Sequence, residues 1–279
     1  MTIESEIVTS VEYAGNSDKD RRQFLRGTAA AAMGIGALMT LTENAALAEN
    51  ESGDTRPTRQ DFAILIAAEI AEALAVTTYT NIINKAPFFT RLQDDDKGYL
   101  RAARQEEMSH YLLEKSLTKQ GSPFTNFLYP PKMFTNAQVT LNTLVTLEDA
   151  FIAAYLVGVR RFSTNDLKVT AARIMGIESD HRTLARVVAS GVAVQDGGPI
   201  EKVTGIQGVA ESVDPPNNNG YERTLGWTDI EQAIQALLPF VDKAAASKAG
   251  FDTTKSFPFA PFTPVLPTPL GDFHSFKGV

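Results

Sequence analysis

Apolar positions recur at helical spacing in four long stretches of the chain. The first covers 61–85, with Ile64, Leu65, Ala68, Ala75, Val76 and Tyr79 among its apolar residues, and Pro87 stops it. The second covers 97–120, where Gly121 and Pro123 read as a stop signal. The third covers 136–162, with Thr135 or Asn136 placed to cap its start. The fourth covers 165–190 and ends at Gly191. Short links join helix one to two and helix three to four, which predicts two antiparallel hairpins. The link between the hairpins, 121–135, is longer and holds Pro123, Pro130 and Pro131. A helix of about 24 residues is about 36 Å long. Fifteen extended residues span roughly 50 Å, so this link can cross the length of a bundle. The fold class this predicts is all-α, a four-helix bundle with one crossover.

The rest of the chain breaks this pattern. Residues 49–60 read as a polar linker and 191–228 as a loop, with Pro215-Pro216-Asn217-Asn218-Asn219-Gly220 its clearest break. Thr228-Asp229-Ile230-Glu231 has the form of a capping box and predicts a fifth helix over about 229–250. From 251 to 279 Phe and Pro alternate too closely for a helix, which predicts an extended tail draped over the bundle or over a second subunit.

The front end reads as an address rather than as fold. Asp20-Arg21-Arg22-Gln23-Phe24-Leu25-Arg26 resembles the twin-arginine export motif, with Asp20 and Arg26 its departures from the usual form. A mildly apolar run follows over 27–41, shorter than the ~20 residues of a comfortable membrane span. Ala46-Leu47-Ala48 then has the small-x-small form of a cleavage site. The expectation is a signal peptide over 1–48 and a mature protein that is periplasmic or extracellular, with no stable membrane insertion after cleavage.

Composition narrows the chemistry. The chain has no cysteine, which excludes disulfides, thiolate metal sites, iron–sulfur clusters and cysteine nucleophiles. Its net charge of −7 argues against nucleic acid as a partner. Three histidines are present, and two fall in one repeated pattern. Helix two carries Glu107 and His110, and helix four carries Glu178 and His181, each pair three residues apart on one helix face. Helix one contributes Glu72 and helix three Glu148, each followed seven residues later by a tyrosine, Tyr79 and Tyr155. Each hairpin thus offers two glutamates and a histidine, and facing hairpins would join four carboxylates to two imidazoles. Two neighbouring divalent ions repel, and carboxylates that bridge them relieve that repulsion. Oxygen and imidazole donors suit iron or manganese better than softer metals. Glu72 and Glu148 stand in apolar surroundings, where a carboxylate needs a partner or a metal. Salt bridges to Arg104, Arg173 or Arg182 are the alternative use for these glutamates. Glu69 is the alternative ligand on helix one. Glu106 is placed either to accept the free N–H of a ligand histidine or to face solvent, and Tyr79 and Tyr155 are either hydrogen-bond donors behind the ligands or core aromatics. His274, in the tail, reads as structural or surface.

Leu147-Glu148-Asp149-Ala150-Phe151-Ile152-Ala153-Ala154-Tyr155 and Ile177-Glu178-Ser179-Asp180-His181 resemble the ferritin-like proteins related to plant desiccation proteins, over about 61–190. The wider resemblance is to ferritins, rubrerythrins and manganese catalases. It implies a ferritin-like bundle with two Fe or two Mn ions and dioxygen or peroxide as the reacting partner. Ferroxidase, peroxidase or catalase-like activity and oxidative-stress protection would follow, in a monomer or a homo-oligomer. A stress-related structural or binding protein with a non-catalytic or empty site is the alternative. The cysteine-bound iron of rubrerythrins has no counterpart here.

Overall fold

The computed structural model describes residues 57–191 and 225–265. The segment 1–48 expected to direct export, most of the linker, most of the loop 191–228 and His274 lie outside the described residues.

Helix α1 (Arg59–Lys85) starts with a capping box: the Thr58 hydroxyl accepts the Asp61 N–H, and Asp61 Oδ2 accepts the Thr58 N–H at 2.6 Å. It ends before Pro87, which opens a short 3-10 turn over Pro87–Arg91. Helix α2 (Asp94–Thr118) begins on Asp94, Asp95 and Asp96, whose charges favour a helix N-terminus. It closes on Lys119 at φ 62°, two residues before the expected glycine stop. Gly121 is needed for another reason, since a Cβ there would lie 2.8 Å from the Tyr111 hydroxyl. Helix α3 (Ala137–Arg161) is capped by Asn136, whose side chain accepts the Val139 N–H at 3.0 Å. Helix α4 (Asn165–Gly191) follows a tight turn, where Thr164 Oγ1 accepts the Leu167 N–H.

The cross-helix contacts fix the directions. Glu69 accepts from Thr118, and His110 lies against Glu72, so α1 and α2 are antiparallel. Asp149 meets Arg182, while Gly158 lies against Ala171, so α3 and α4 are antiparallel. The hairpins meet through α1 and α3, also antiparallel, along Tyr79–Glu148, Glu72–Tyr155 and Asp61–Ser163. The fold is therefore the all-α four-helix bundle that the sequence predicts, with the crossover between α2 and α3.

Helix α1 is the central element. Eighteen of its 27 residues are buried, on nearly every face, because α2, α3 and a later helix all pack on it. By length and composition α1 and α3 each suffice to cross a membrane, yet most of α1's apolar window is buried in the bundle. Their apolarity serves the core.

Two features differ from expectation. The segment expected as one fifth helix is two, α5 (Ile230–Val241) and α6 (Lys243–Lys248). Pro239 removes a backbone donor, and Asp242 then leaves the helix to cap the second one, its Oδ1 accepting the Ala245 N–H at 2.8 Å. The box at its start sits one residue later than expected, with Gln232 Oε1 accepting the N–H groups of Thr228 and Asp229. The crossover also holds a strand, β1 (Asn126–Tyr129), paired antiparallel with β2 (Asp252–Pro258) from the tail. Phe127 opposes Phe257, and a register irregularity lies between Phe127 and Tyr129. Tyr129 anchors this ribbon to α1, its hydroxyl 3.0 Å from Thr78 Oγ1.

Candidate metal centre

The middle turns of the four bundle helices each present a buried carboxylate to the same interior space. Glu72, Glu107, Glu148 and Glu178 are at most 1% exposed, His110 8% and His181 3%. They form two overlapping groups: Glu72, Glu107, His110 and Glu178, then Glu107, Glu148, Glu178 and His181. Within each group the potential ligand atoms all lie within 4.8 Å of one another. Glu107 and Glu178, the first residues of the two Glu-x-x-His pairs, belong to both groups. Glu72 with His110 closes one end, and Glu148 with His181 the other.

The imidazoles approach the shared carboxylates closely. His110 Nδ1 lies 3.1 Å from Glu178 Oε1 and 3.6 Å from Glu72 Oε2 and Glu107 Oε2. His181 Nδ1 lies 3.0 Å from Glu107 Oε1 and 3.3 Å from Glu178 Oε2. Even so, Glu72 Oε2, both Glu107 oxygens, His110 Nδ1, Glu148 Oε2 and Glu178 Oε1 are buried without a hydrogen-bond partner. A buried polar atom left unsatisfied costs about 1–3 kcal/mol. Six such donor atoms turned toward one another around a common space, with no hydrogen-bond partner, fit a metal site. Four carboxylates also match the charge of two divalent ions, with both imidazoles neutral.

Burial pushes Glu72 and Glu148 well above the usual carboxylate range, and Glu107 and Glu178 push them further. Glu107 is lowered, because His181 and His110 outweigh its burial. Burial alone would lower both imidazoles, but the facing carboxylates, Glu72 for His110 and Glu107 for His181, raise them well above the usual histidine range.

A supporting layer fixes the ligands. The Tyr79 hydroxyl donates to Glu148 Oε1 at 2.7 Å, and the Tyr155 hydroxyl donates to Glu72 Oε1. Each tyrosine therefore holds the glutamate of the other hairpin rather than the one seven residues before it. Glu106 Oε2 lies 2.8 Å from His181 Nε2, so with a metal bound the ring proton would stay on Nε2 and Nδ1 would face the centre as a donor. The corresponding position in α4 is Ile177, so the two ends differ.

Glu69 stands apart from both groups. It accepts from the Thr118 hydroxyl, and burial raises it to about 7. Of the arginines that could pair with these glutamates, Arg182 donates to Asp149 at 2.8 Å, Arg104 lies over the Phe262 ring at 4.5 Å, and Arg173 is exposed. Glu114 is the residue that the sequence reading misses. It is 2% exposed, its Oε1 lies 2.6 Å from the Tyr155 hydroxyl, and its Oε2 has no partner. Its spacing, four after His110 and seven after Glu107, already puts it on the ligand face of α2.

Four helices in two hairpins, with glutamate and histidine converging between them, define a carboxylate-lined helical bundle with a potential metal site. Residues 59–190, which are α1 through α4, match the family model of the ferritin-like domain. Over that span the chain is similar to ferritin-like domains. No curated protein and no solved structure matches it significantly.

Proposed function

We propose that the chain is an exported di-metal carboxylate protein whose two iron or manganese ions perform redox chemistry with dioxygen or peroxide, as protection against oxidative damage. The observation that carries this reading is the pair of overlapping ligand groups sharing Glu107 and Glu178, with six buried ligand atoms lacking any other partner. Glu72 and His110 would hold one ion, Glu148 and His181 the other, and Glu107 and Glu178 would bridge. Iron or manganese supplies the change of oxidation state that no side chain here can supply. The protein's own part is positional. Tyr79 and Tyr155 pin one oxygen of Glu148 and of Glu72, leaving the other turned inward. Glu106 holds His181 in the tautomer a ligand needs. The packed helices keep bulk water from the carboxylates. Export, and kinship with the desiccation-related members of the fold, rest on the sequence motifs at 20–48, 147–155 and 177–181.

The test is metal content of the mature protein from its native host, beside a Glu148→Ala/His181→Ala variant. About two irons or manganeses per chain, lost in the variant, is the expected result. A metal-free native protein would return the site to a structural role.

A further inference from the structure

Below the ligand cluster the bundle is not filled. A cavity of about 40 Å³ lies among α1 to α5, between the α3–α4 turn at Phe162 and Leu167 and the level of Ala71, Glu114 and Tyr155. By the same measure one water needs roughly 10–15 Å³, so the space takes a molecule of a few atoms and not a long chain. Its lining is apolar except for Glu114, Tyr155 and Thr170. Alanines at 68, 71 and 154 stand where larger core residues would close it. Leu117, Thr170 and Trp227 in its lining are half-buried. Its inner end is Tyr155, which is hydrogen-bonded to Glu72.

We infer that this cavity holds dioxygen and delivers it to the Glu72–His110 end of the centre. The inference rests on the two-metal reading above and narrows its oxidant. Size and polarity carry it together. A small apolar molecule gains by leaving water for such walls, whereas hydrogen peroxide would give up hydrogen bonds that alanine and leucine do not replace. Dry apolar cavities take up xenon, which makes xenon the probe. The asymmetry of the centre agrees: the cavity ends on Tyr155, which lies behind Glu72 at the end that lacks a counterpart of Glu106.

The experiment is xenon-pressurised crystallography of the mature protein, with and without metal, beside Ala68→Phe and the milder Ala68→Leu. Metal content, melting temperature, and rates of dioxygen and peroxide consumption by the reduced, metal-loaded protein are measured for each. Xenon should occupy the cavity whether or not metal is bound and be excluded by the larger side chain. The filled variant should keep its metal and its melting temperature, lose dioxygen rate by roughly tenfold, and keep its peroxide rate. Metal bound with no xenon in the cavity would overturn the inference alone. So would xenon bound with equal dioxygen rates in a folded, filled variant. Protein without metal would instead sink the two-metal reading and the delivery role with it.

Discussion

Tyr79 and Tyr155 show how single side chains make the centre depend on both hairpins, since each reaches across to the other hairpin's glutamate. Sequence spacing alone pairs each tyrosine with the glutamate seven residues before it, and a helix does place them on one face. The crossed partnership follows from the antiparallel packing of α1 on α3, which no local spacing encodes. Glu72 over Glu69 is legible from the same spacing, and the structure gives the reason: Glu69 faces Thr118. Glu69 also makes a prediction. Burial raises it to about 7, with Thr118 and Lys115 offsetting only part, against 4.5 for an ordinary glutamate. The folded chain therefore binds this proton more tightly than the unfolded one. The stability it contributes is full below pH 4.5 and is lost as pH rises through 7. Above that, Glu69→Gln should be more stable than wild type by up to about 3 kcal/mol, with the advantage gone near pH 4. Thermal melts of the two metal-free proteins across that range check it, and parallel curves would contradict it.

At the scale of elements, the four bundle helices were readable because their stop signals and apolar periods are local. Pro87 ends α1 and Asn136 caps α3 as their sequence positions suggest. The ribbon was not readable. Asn126–Tyr129 is four residues long and sits beside prolines, and its partner strand lies more than a hundred residues away. Only the Phe/Pro alternation of the tail hinted at extended chain. The break in the fifth helix was carried by Pro239 and Asp242, whose joint effect depends on Asp242 finding a better use as a cap. Within the ribbon, Phe257 packs edge-to-face on Tyr129 and beside Phe134, with Lys85 over its ring. Phe257→Ala should cost about 2–3 kcal/mol in chemical denaturation while metal content stays unchanged. A loss of metal in that variant would show that the ribbon shapes the centre rather than merely bracing α1.

Across the whole molecule, the two hairpins must dock before the ligand groups exist, since each group draws on both. One tie lies at the end away from the crossover strand. Asp61 Oδ1 accepts the Ser163 N–H at 2.8 Å, while Oδ2 accepts from the Ser163 hydroxyl and from Thr58. It joins the start of α1 to the α3–α4 turn, and Asp61 is itself fully buried. Asp61→Ala strips partners from several donors at once, and a loss of about 2–4 kcal/mol is expected by denaturant titration. A loss below about 0.5 kcal/mol would mean that the apolar interface alone holds the hairpins together.

The central claim is that Glu107 and Glu178 are shared between two metal ions. Anomalous diffraction at the iron and manganese absorption edges, on crystals of the natively purified protein, tests it most directly. Two peaks about 3.5–4 Å apart are expected, one flanked by Glu72 and His110 and the other by Glu148 and His181, with Glu107 and Glu178 between them. A single peak, or none within reach of those two glutamates, would contradict it.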